Sequence, residues 1–381
     1  MRSRFWFYSF FLLLLACLFQ FGVTLMPKLL KWYYEKSFRP IEYTTVQSFE
    51  SKLLEGTYLL LDYQYGADES VMYYNNLGEF VHCLATRSQR SIYDYGEYGY
   101  MLFFSYLYSL EKKNKELARL IEEKFRIGYN IKYHSVSRND QTSYGCIAAL
   151  IGRNTHQDDC LSFCDMLYHR MDSLYKENGN VLYREGDSNQ HVDGIGLICP
   201  FLNIYGEMFH KGQSDTIVCR MIRDYLAYGV DPVTGIPAQS YNSKTKIKDR
   251  RCNWGRGVSW WLLGLSNYHG YLSKEDTSLI HRGDSTLLAL YPNYTQYLGN
   301  LSGDGYDMSA LIPILFYLNR KGLVKISKSQ FVKQIAPYTD EKGIIRYNSP
   351  TIGRPKEKPN AYQAHFLSQG IALYMMSVLR D

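Results

Sequence analysis

The sequence predicts an all-α protein: an (α/α)6 toroid, or barrel, with short β-hairpins on one rim and a transmembrane helix ahead of it. Three observations lead there. Two kinds of helix-forming stretch alternate along the chain, the starts of one kind recur at near-regular spacing, and an uncharged apolar run sits near the N-terminus.

The recurring stretches open on a polar or aromatic residue, continue through small residues and end in a long apolar run. They read "DYGEYGYMLFFSYLYSL" from Asp94, "DQTSYGCIAALIG" from Asp140 and "DGIGLICPFLNIYGE" from Asp193. The series continues with "WGRGVSWWLLGLSNYHG" from Trp254, "DGYDMSALIPILFYLNRKG" from Asp304 and "NAYQAHFLSQGIALYMMSVL" from Asn360. Successive starts lie about 46 to 61 residues apart, room for two helices and their loops. Between them lie amphipathic stretches such as "KKNKELARLIEEKFRIGYN" from Lys112, "DDCLSFCDMLYHRMDSLYKE" from Asp158 and "SDTIVCRMIRDYLAYGV" from Ser214. Their apolar positions recur at three and four, with charges on the other face. Buried helices inside and amphipathic helices outside make two concentric rings. An open solenoid is the alternative; the absence of charge along the inner apolar runs favours closure.

Strand-like pieces precede several inner helices: "GNVLYRE" (179–185), "TGIPAQSYN" (234–242) and "KGIIRYNSP" (342–350). Each pairs a glycine with alternating apolar residues, the pattern of a small rim hairpin.

The run from Phe5 to Met26 carries no charge, and its length suits a bilayer-spanning helix of roughly 20 residues. It reads as an uncleaved signal anchor, with a cleaved signal as the alternative. Residues 1–39 then form the anchor and juxtamembrane segment, and residues 40–381 the barrel. Arg2 and Arg4 place the N-terminus inside and the barrel outside the cytoplasm, in the periplasm or on the cell surface. Lys28, Lys31, Lys36 and Arg39 argue the other way. The net charge of +6 is concentrated in residues 1–39. The nearly neutral remainder gives no case for a nucleic-acid partner. The cysteines outside the anchor show no CxxC pair, and most sit in apolar helical runs as core residues.

In such a ring all inner helices run the same way, so their N-termini meet at one mouth. Free N–H groups and partial positive charge suit that mouth to an anionic or oxygen-rich ligand. Asp94, Asp140, Asp193, Trp254 and Asp304 fall near it. Aspartate is also a common N-cap, so each one alone carries a structural reading. Several carboxylates beside aromatic platforms, however, are the usual equipment for chemistry on sugars.

Three segments in order, "HVDGIGLICPFLNIYGE" (191–207), "DPVTGIPAQSYN" (231–242) and "WGRGVSWWLLGL" (254–265), resemble the unsaturated glucuronyl and rhamnogalacturonyl hydrolases, glycoside hydrolase families 88 and 105. The resemblance covers about residues 70–381 and implies an α/α six-barrel. It implies Asp193 as general acid/base and Asp140, 53 residues earlier, as the second catalytic carboxylate. It places Arg256 on the substrate and Trp260 and Trp254 along the sugar. His191 beside Asp193, Gln239 and Asp94 complete the expected substrate-binding set.

The activity implied is hydration of a 4,5-unsaturated uronic acid in an acidic oligosaccharide or polysaccharide fragment, without metal or cofactor. The chain departs from the family at Gln239, where histidine is usual, at Asn242, where aspartate is usual, and at Val258 and Ser259. Two other readings remain open. One is a non-catalytic, membrane-anchored protein for glycan binding or polysaccharide assembly. The other is a different α/α-toroid enzyme, such as a polysaccharide lyase.

Overall fold

The computed structural model describes residues 2–62, 93, 96–133, 136, 138–183, 186–248, 255–266, 268–290, 307–348 and 364–381. Two compact units are distinguished, residues 1–39 with 62–92 and residues 40–61 with 93–381. In the first, helix α1 spans Arg2–Ser37. It corrects the expected membrane anchor: among the described residues, no helix is long and apolar enough to cross a membrane. The same helix continues through Lys28, Lys31 and Lys36. The single-pass membrane localisation, and the extracytoplasmic placement that depended on it, are withdrawn.

The second unit is mostly helical. Its helices are α2 (Val46–Leu61), α3 (Gly96–Glu111), α4 (Lys115–Gly128), α5 (Tyr144–Thr155), α6 (Asp158–Asn178) and α7 (Val192–Phe209). They continue with α8 (Gly212–Tyr228), α9 (Gly255–Ser266), α10 (Lys274–Leu290), α11 (Met308–Arg320), α12 (Lys328–Ile335) and α13 (Phe366–Val378). The odd-numbered helices from α3 to α13 form the inner ring. Each packs on the next, and α13 packs on α3, closing it. The outer helices α4, α6 and α8 lie against α3, α5 and α7.

The two helix types differ as their sequences do. Outer α4 buries Leu117, Ile121 and Phe125, one stripe at four-residue spacing. Its N-terminus is capped by Asn114 Oδ1, which accepts from the Leu117 N–H at 3.0 Å. Inner α7 is buried without a break from Val192 to Asn203. The small residues let these inner helices approach closely. A Cβ on Gly196 would sit 2.5 Å from the Trp260 carbonyl oxygen and 2.6 Å from its Cα, so α7 and α9 meet backbone to backbone.

Two inner helices contain proline, which has no N–H and releases the carbonyl four residues earlier. Pro200 in α7 releases the Gly196 carbonyl, and Tyr100 on α3 donates its hydroxyl to it across the ring interior. Pro313 in α11 releases the Ser309 carbonyl, and Ser259 on α9 donates to it at 2.9 Å. Ser259, one of the departures from the family pattern, therefore has a packing role. Ser259→Ala leaves that buried oxygen without its donor. It should lower the unfolding free energy by about 1–3 kcal/mol, measured by denaturant titration; an unchanged midpoint would refute the assignment.

The expected rim hairpins take a different form. Strand β1 (Asn189–His191) pairs antiparallel with β2 (Ser240–Asn242), in register Gln190 to Tyr241. Each strand belongs to a loop feeding an inner helix, so the ladder joins two loops across the rim. Pro237 cannot donate to a ladder; it makes an isolated bridge with Val230, and the pairing with β1 falls to Ser240–Asn242. Among the described residues, none of 179–185 and none of 342–350 is in a strand; Ile345 makes an isolated bridge with Thr339. Cys146, Cys160, Cys164 and Cys199 are buried free thiols.

The closed ring is clasped by Gln369 on α13, which is fully buried. Its Nε2, with two hydrogens to share, lies within hydrogen-bond distance of Leu53 O at 3.1 Å, Thr57 Oγ1 at 3.2 Å and Gly343 O at 3.0 Å. Its Oε1 accepts from the Ile345 N–H at 3.0 Å.

Candidate active site

Asp193 lies in the first turn of α7 and is 8 % exposed. The chain reaches it through β1, with His191 extended as the N-cap residue. The Val192 N–H donates to Gln239 O at 3.0 Å, which seats the loop after α8 against the same helix start. Gln239 thus stands beside Asp193.

Asp140 lies in a single 3-10 turn, Asn139–Ser143, that leads into α5. Local polar residues dictate the turn. Thr142 Oγ1 donates to Asn139 O at 2.6 Å, and Ser143 Oγ donates to Gly96 O at 2.8 Å. Asn139 Nδ2 reaches Leu182 O at 2.6 Å, which brings Tyr183 over the carboxylate. The Asp140 carboxylate is 4 % exposed as a residue and held on two sides. The Arg138 guanidinium forks onto it, with Nε donating to Oδ1 at 3.1 Å and Nη2 donating to Oδ2. Tyr183 Oη donates to Oδ2 at 3.3 Å. Burial raises the Asp140 pKa from its ordinary value, and Arg138 works against that rise.

Tyr183 stands between the Asp140 turn and the start of α7. Its hydroxyl donates to Asp140, and its Cβ lies 3.5 Å from where a Cβ on Gly194 would sit. Its hydroxyl pKa is raised by burial first, then by the charges of Asp140, Asp193 and Glu97. His191 sits edge-on to the Tyr183 ring at 5.9 Å and pairs with Asp187 at 3.0 Å. Tyr183 and Glu97 were missed in the sequence. Glu97 lies in the first turn of α3, in a repeat start recognised for Asp94, and helix-start periodicity was the available signal. Tyr183 sits in a loop and had none.

Arg256 lies in the first turn of α9, 5 % exposed. Burial, and then the Arg256 charge, hold the His365 pKa well below its ordinary value. His365 is the N-cap residue of α13, with Nδ1 3.1 Å from Ser368 Oγ. Ser368 in turn donates to Asn348 Oδ1 at 3.0 Å. No periodicity or motif pointed to this polar group at the start of α13.

Trp260 differs from expectation. It is 2 % exposed, with its ring 6.0 Å from that of Tyr100 and its backbone against Gly196. It is part of the ring wall, because the α7–α9 contact at Gly196 turns that stretch inward. Trp254, Asp94 and Asp304 lie outside the described residues. Nearby Asp307 caps α11, with Oδ1 accepting from the Ser309 N–H at 2.9 Å. Asn242 closes a turn, accepting from Lys244 and Thr245 N–H at 3.0 and 2.9 Å. Lys248 donates to Val230 O at 2.6 Å, and Lys246 lies over the Tyr228 ring at 4.6 Å, so these members of the basic run brace the loop. Among the described residues, no group of three or more His, Cys, Asp or Glu side chains is placed to hold a metal ion.

The Arg138–Asp140 fork makes a pH-dependent prediction. Asp140 titrates above its unfolded value near 3.8. Its contribution to stability is therefore complete below that value and is lost as pH rises through the folded value. Arg138→Gln removes the opposing charge and moves the folded value higher still. The Arg138 side chain is 48 % exposed, so screening reduces the loss to roughly 1–2 kcal/mol at neutral pH. The deficit against wild type should shrink as the pH falls through the raised Asp140 values and be gone below 3.8. A pH-independent deficit in thermal melts would contradict the reading.

No family model matches the chain, and no curated protein matches it. Solved structures do. A structure described as a possible member of glycoside hydrolase family 105 from Klebsiella pneumoniae matches with TM-score 0.67 at 14% identity, covering 89% of this chain and 94% of that one. One so described from Salmonella enterica matches with TM-score 0.68 at 12% identity, covering 89% and 95%. A glycoside hydrolase family 88 structure from Bacteroides vulgatus matches with TM-score 0.52 at 10% identity, covering 78% and 96%. Structures of an α-1,6-mannanase and of a polysaccharide lyase match as well. The chain shares the α/α-toroid fold of these carbohydrate-active proteins, families 105 and 88 among them.

Proposed function

We propose that this chain is a glycoside hydrolase acting on a uronic-acid-containing oligosaccharide, by hydrating a 4,5-unsaturated uronic acid. The observation that carries the reading is the half-buried Tyr183, whose hydroxyl donates to Asp140 Oδ2 and whose Cβ packs by Gly194, next to Asp193 at the start of α7. Similarity of fold to family 105 and family 88 structures supports it.

In this mechanism protonated Asp193 gives its proton to C4 of the enol-ether double bond, and positive charge develops at C5 beside the ring oxygen. Water adds at C5, and the Asp193 carboxylate takes its proton, restoring the acid. The hemiketal so formed opens and releases the neighbouring sugar. Asp140, held by the Arg138 fork, supports the developing charge through the Tyr183 contact. Arg256 meets the substrate carboxylate, and Gln239 donates a hydrogen bond where a family histidine would stand.

One absorbance measurement tests the reading. With an unsaturated uronyl disaccharide, the ultraviolet band of the conjugated double bond should disappear in proportion to enzyme added. An unchanged band with saccharide bound would indicate a binding protein. A rising band on an intact uronic-acid polysaccharide would indicate a lyase.

A further inference from the structure

A cavity of about 430 Å³ is lined by residues of all six inner helices, chiefly from their C-terminal halves. It lies at the end of the ring opposite Asp140 and Asp193, which sit at the helix starts. Its deep wall is apolar and aromatic: Phe103, Phe104, Phe316, Tyr374 and Leu263, with Tyr100 beneath. Phe104 packs edge-on to Phe316 at 5.4 Å and tilted on Tyr374 at 5.9 Å. The Tyr100 ring lies 6.0 Å from Trp260, so this layer separates the cavity from the carboxylate mouth. The proposed hydrolase chemistry makes no use of it.

The rim is polar. Arg153 and Arg320 stand in the last turns of α5 and α11, opposite one another in ring order. Both are exposed. Arg320 is already oriented, with Nε donating to Ser266 O at 3.1 Å and its guanidinium over the Phe316 ring at 6.0 Å. The rim acid Glu207 faces His269 at 3.9 Å. The carbonyl ends of the inner helices bring negative charge to this mouth, which the two arginines offset at close range.

A volume of about 430 Å³ falls within the roughly 300–1,000 Å³ of small-molecule sites, which are mostly apolar with a few placed polar groups. We infer that this cavity is a second ligand site, which takes a single-chain amphiphile with an anionic head. The chain lies against the aromatic layer, and the head sits at the rim with Arg153 and Arg320.

Dodecanoate, titrated below its micellar concentration into the full chain by calorimetry, tests this. It should bind saturably at one site. Decanoate, two methylenes shorter, should bind about tenfold more weakly. Dodecyltrimethylammonium should bind at least about tenfold more weakly, because the rim arginines repel it. Arg153→Glu, at an exposed position, should weaken dodecanoate about tenfold at an unchanged melting temperature. Leu107→Trp, which fills the cavity, should abolish binding; if that variant melts early, Arg153→Glu and the chain-length series carry the test alone. An unsaturated disaccharide should not displace dodecanoate, which keeps this result separate from the hydrolase assay. Absence of saturable dodecanoate binding, equal affinity for the cationic amphiphile, or wild-type affinity in Arg153→Glu would each overturn the proposal.

Discussion

Asp193→Asn should lower kcat on an unsaturated uronyl disaccharide by roughly a thousandfold while KM changes little. The amide keeps the size of the side chain and can still accept a hydrogen bond at the helix start. What it loses is the proton that must go to C4 and the base that must take one from water. General acid–base groups contribute about 10²- to 10⁴-fold, and the middle of that range corresponds to about 4 kcal/mol of barrier. Asp193 is in the first turn of α7, where a negative charge adds only about 0.3–1 kcal/mol of stability, so the variant should fold. Asp140→Asn should behave differently. It leaves Arg138 and Tyr183 without their anion and should reduce stability as well as rate. Wild-type kcat in Asp193→Asn would remove Asp193 from the chemistry.

The second large effect is structural. Gly196→Ala should destabilise the fold by about 3 kcal/mol, the upper end of the range for overpacking a core. The added methyl would meet the Trp260 carbonyl oxygen and Cα, at 2.5 and 2.6 Å. Both are backbone atoms in a buried helix, so no side chain can rotate away; α7 and α9 must separate. Gly194, two residues earlier, is the internal control. A methyl there would find its nearest neighbour, Tyr183 Cβ, at 3.5 Å, which is ordinary contact. Gly194→Ala should therefore be neutral or should stabilise by up to about 1 kcal/mol through helix propensity. Equal denaturation midpoints for the two variants would contradict this account of the α7–α9 interface.

The ring was readable in the chain because burial on all sides leaves a different sequence from burial on one side. The unbroken apolar run of α7 and the four-residue stripe of α4 are those two signatures. Asp140 and Asp193 were readable for a related reason: both open an inner helix, and helices running the same way share a mouth. Features set by contacts between distant segments were not readable. β1 and β2 pair residues about 50 apart, with no tight turn to announce them. Trp260 looked like a sugar platform because an exposed and a buried tryptophan have the same spacing; only the close approach of α7 decides which it is. Tyr183 and the His365 group depend on loops reaching back to helix starts, which periodicity does not encode. Ser259 looked like a lost substrate contact until Pro313, 54 positions later, explained it.

The Gln369 clasp has a consequence for how this chain comes off the ribosome. Its partners, Leu53 and Thr57, are made more than 300 residues earlier. α2 and the face of α3 that meets α13 have no neighbour there until α13 emerges, so those faces stay wet until then. Contacts of such sequence separation slow folding, and long-lived exposed apolar helices are prone to associate. Production of this protein should therefore respond to slower translation and to chaperones that shield unfinished chains, more than to any change in the stability of the finished ring.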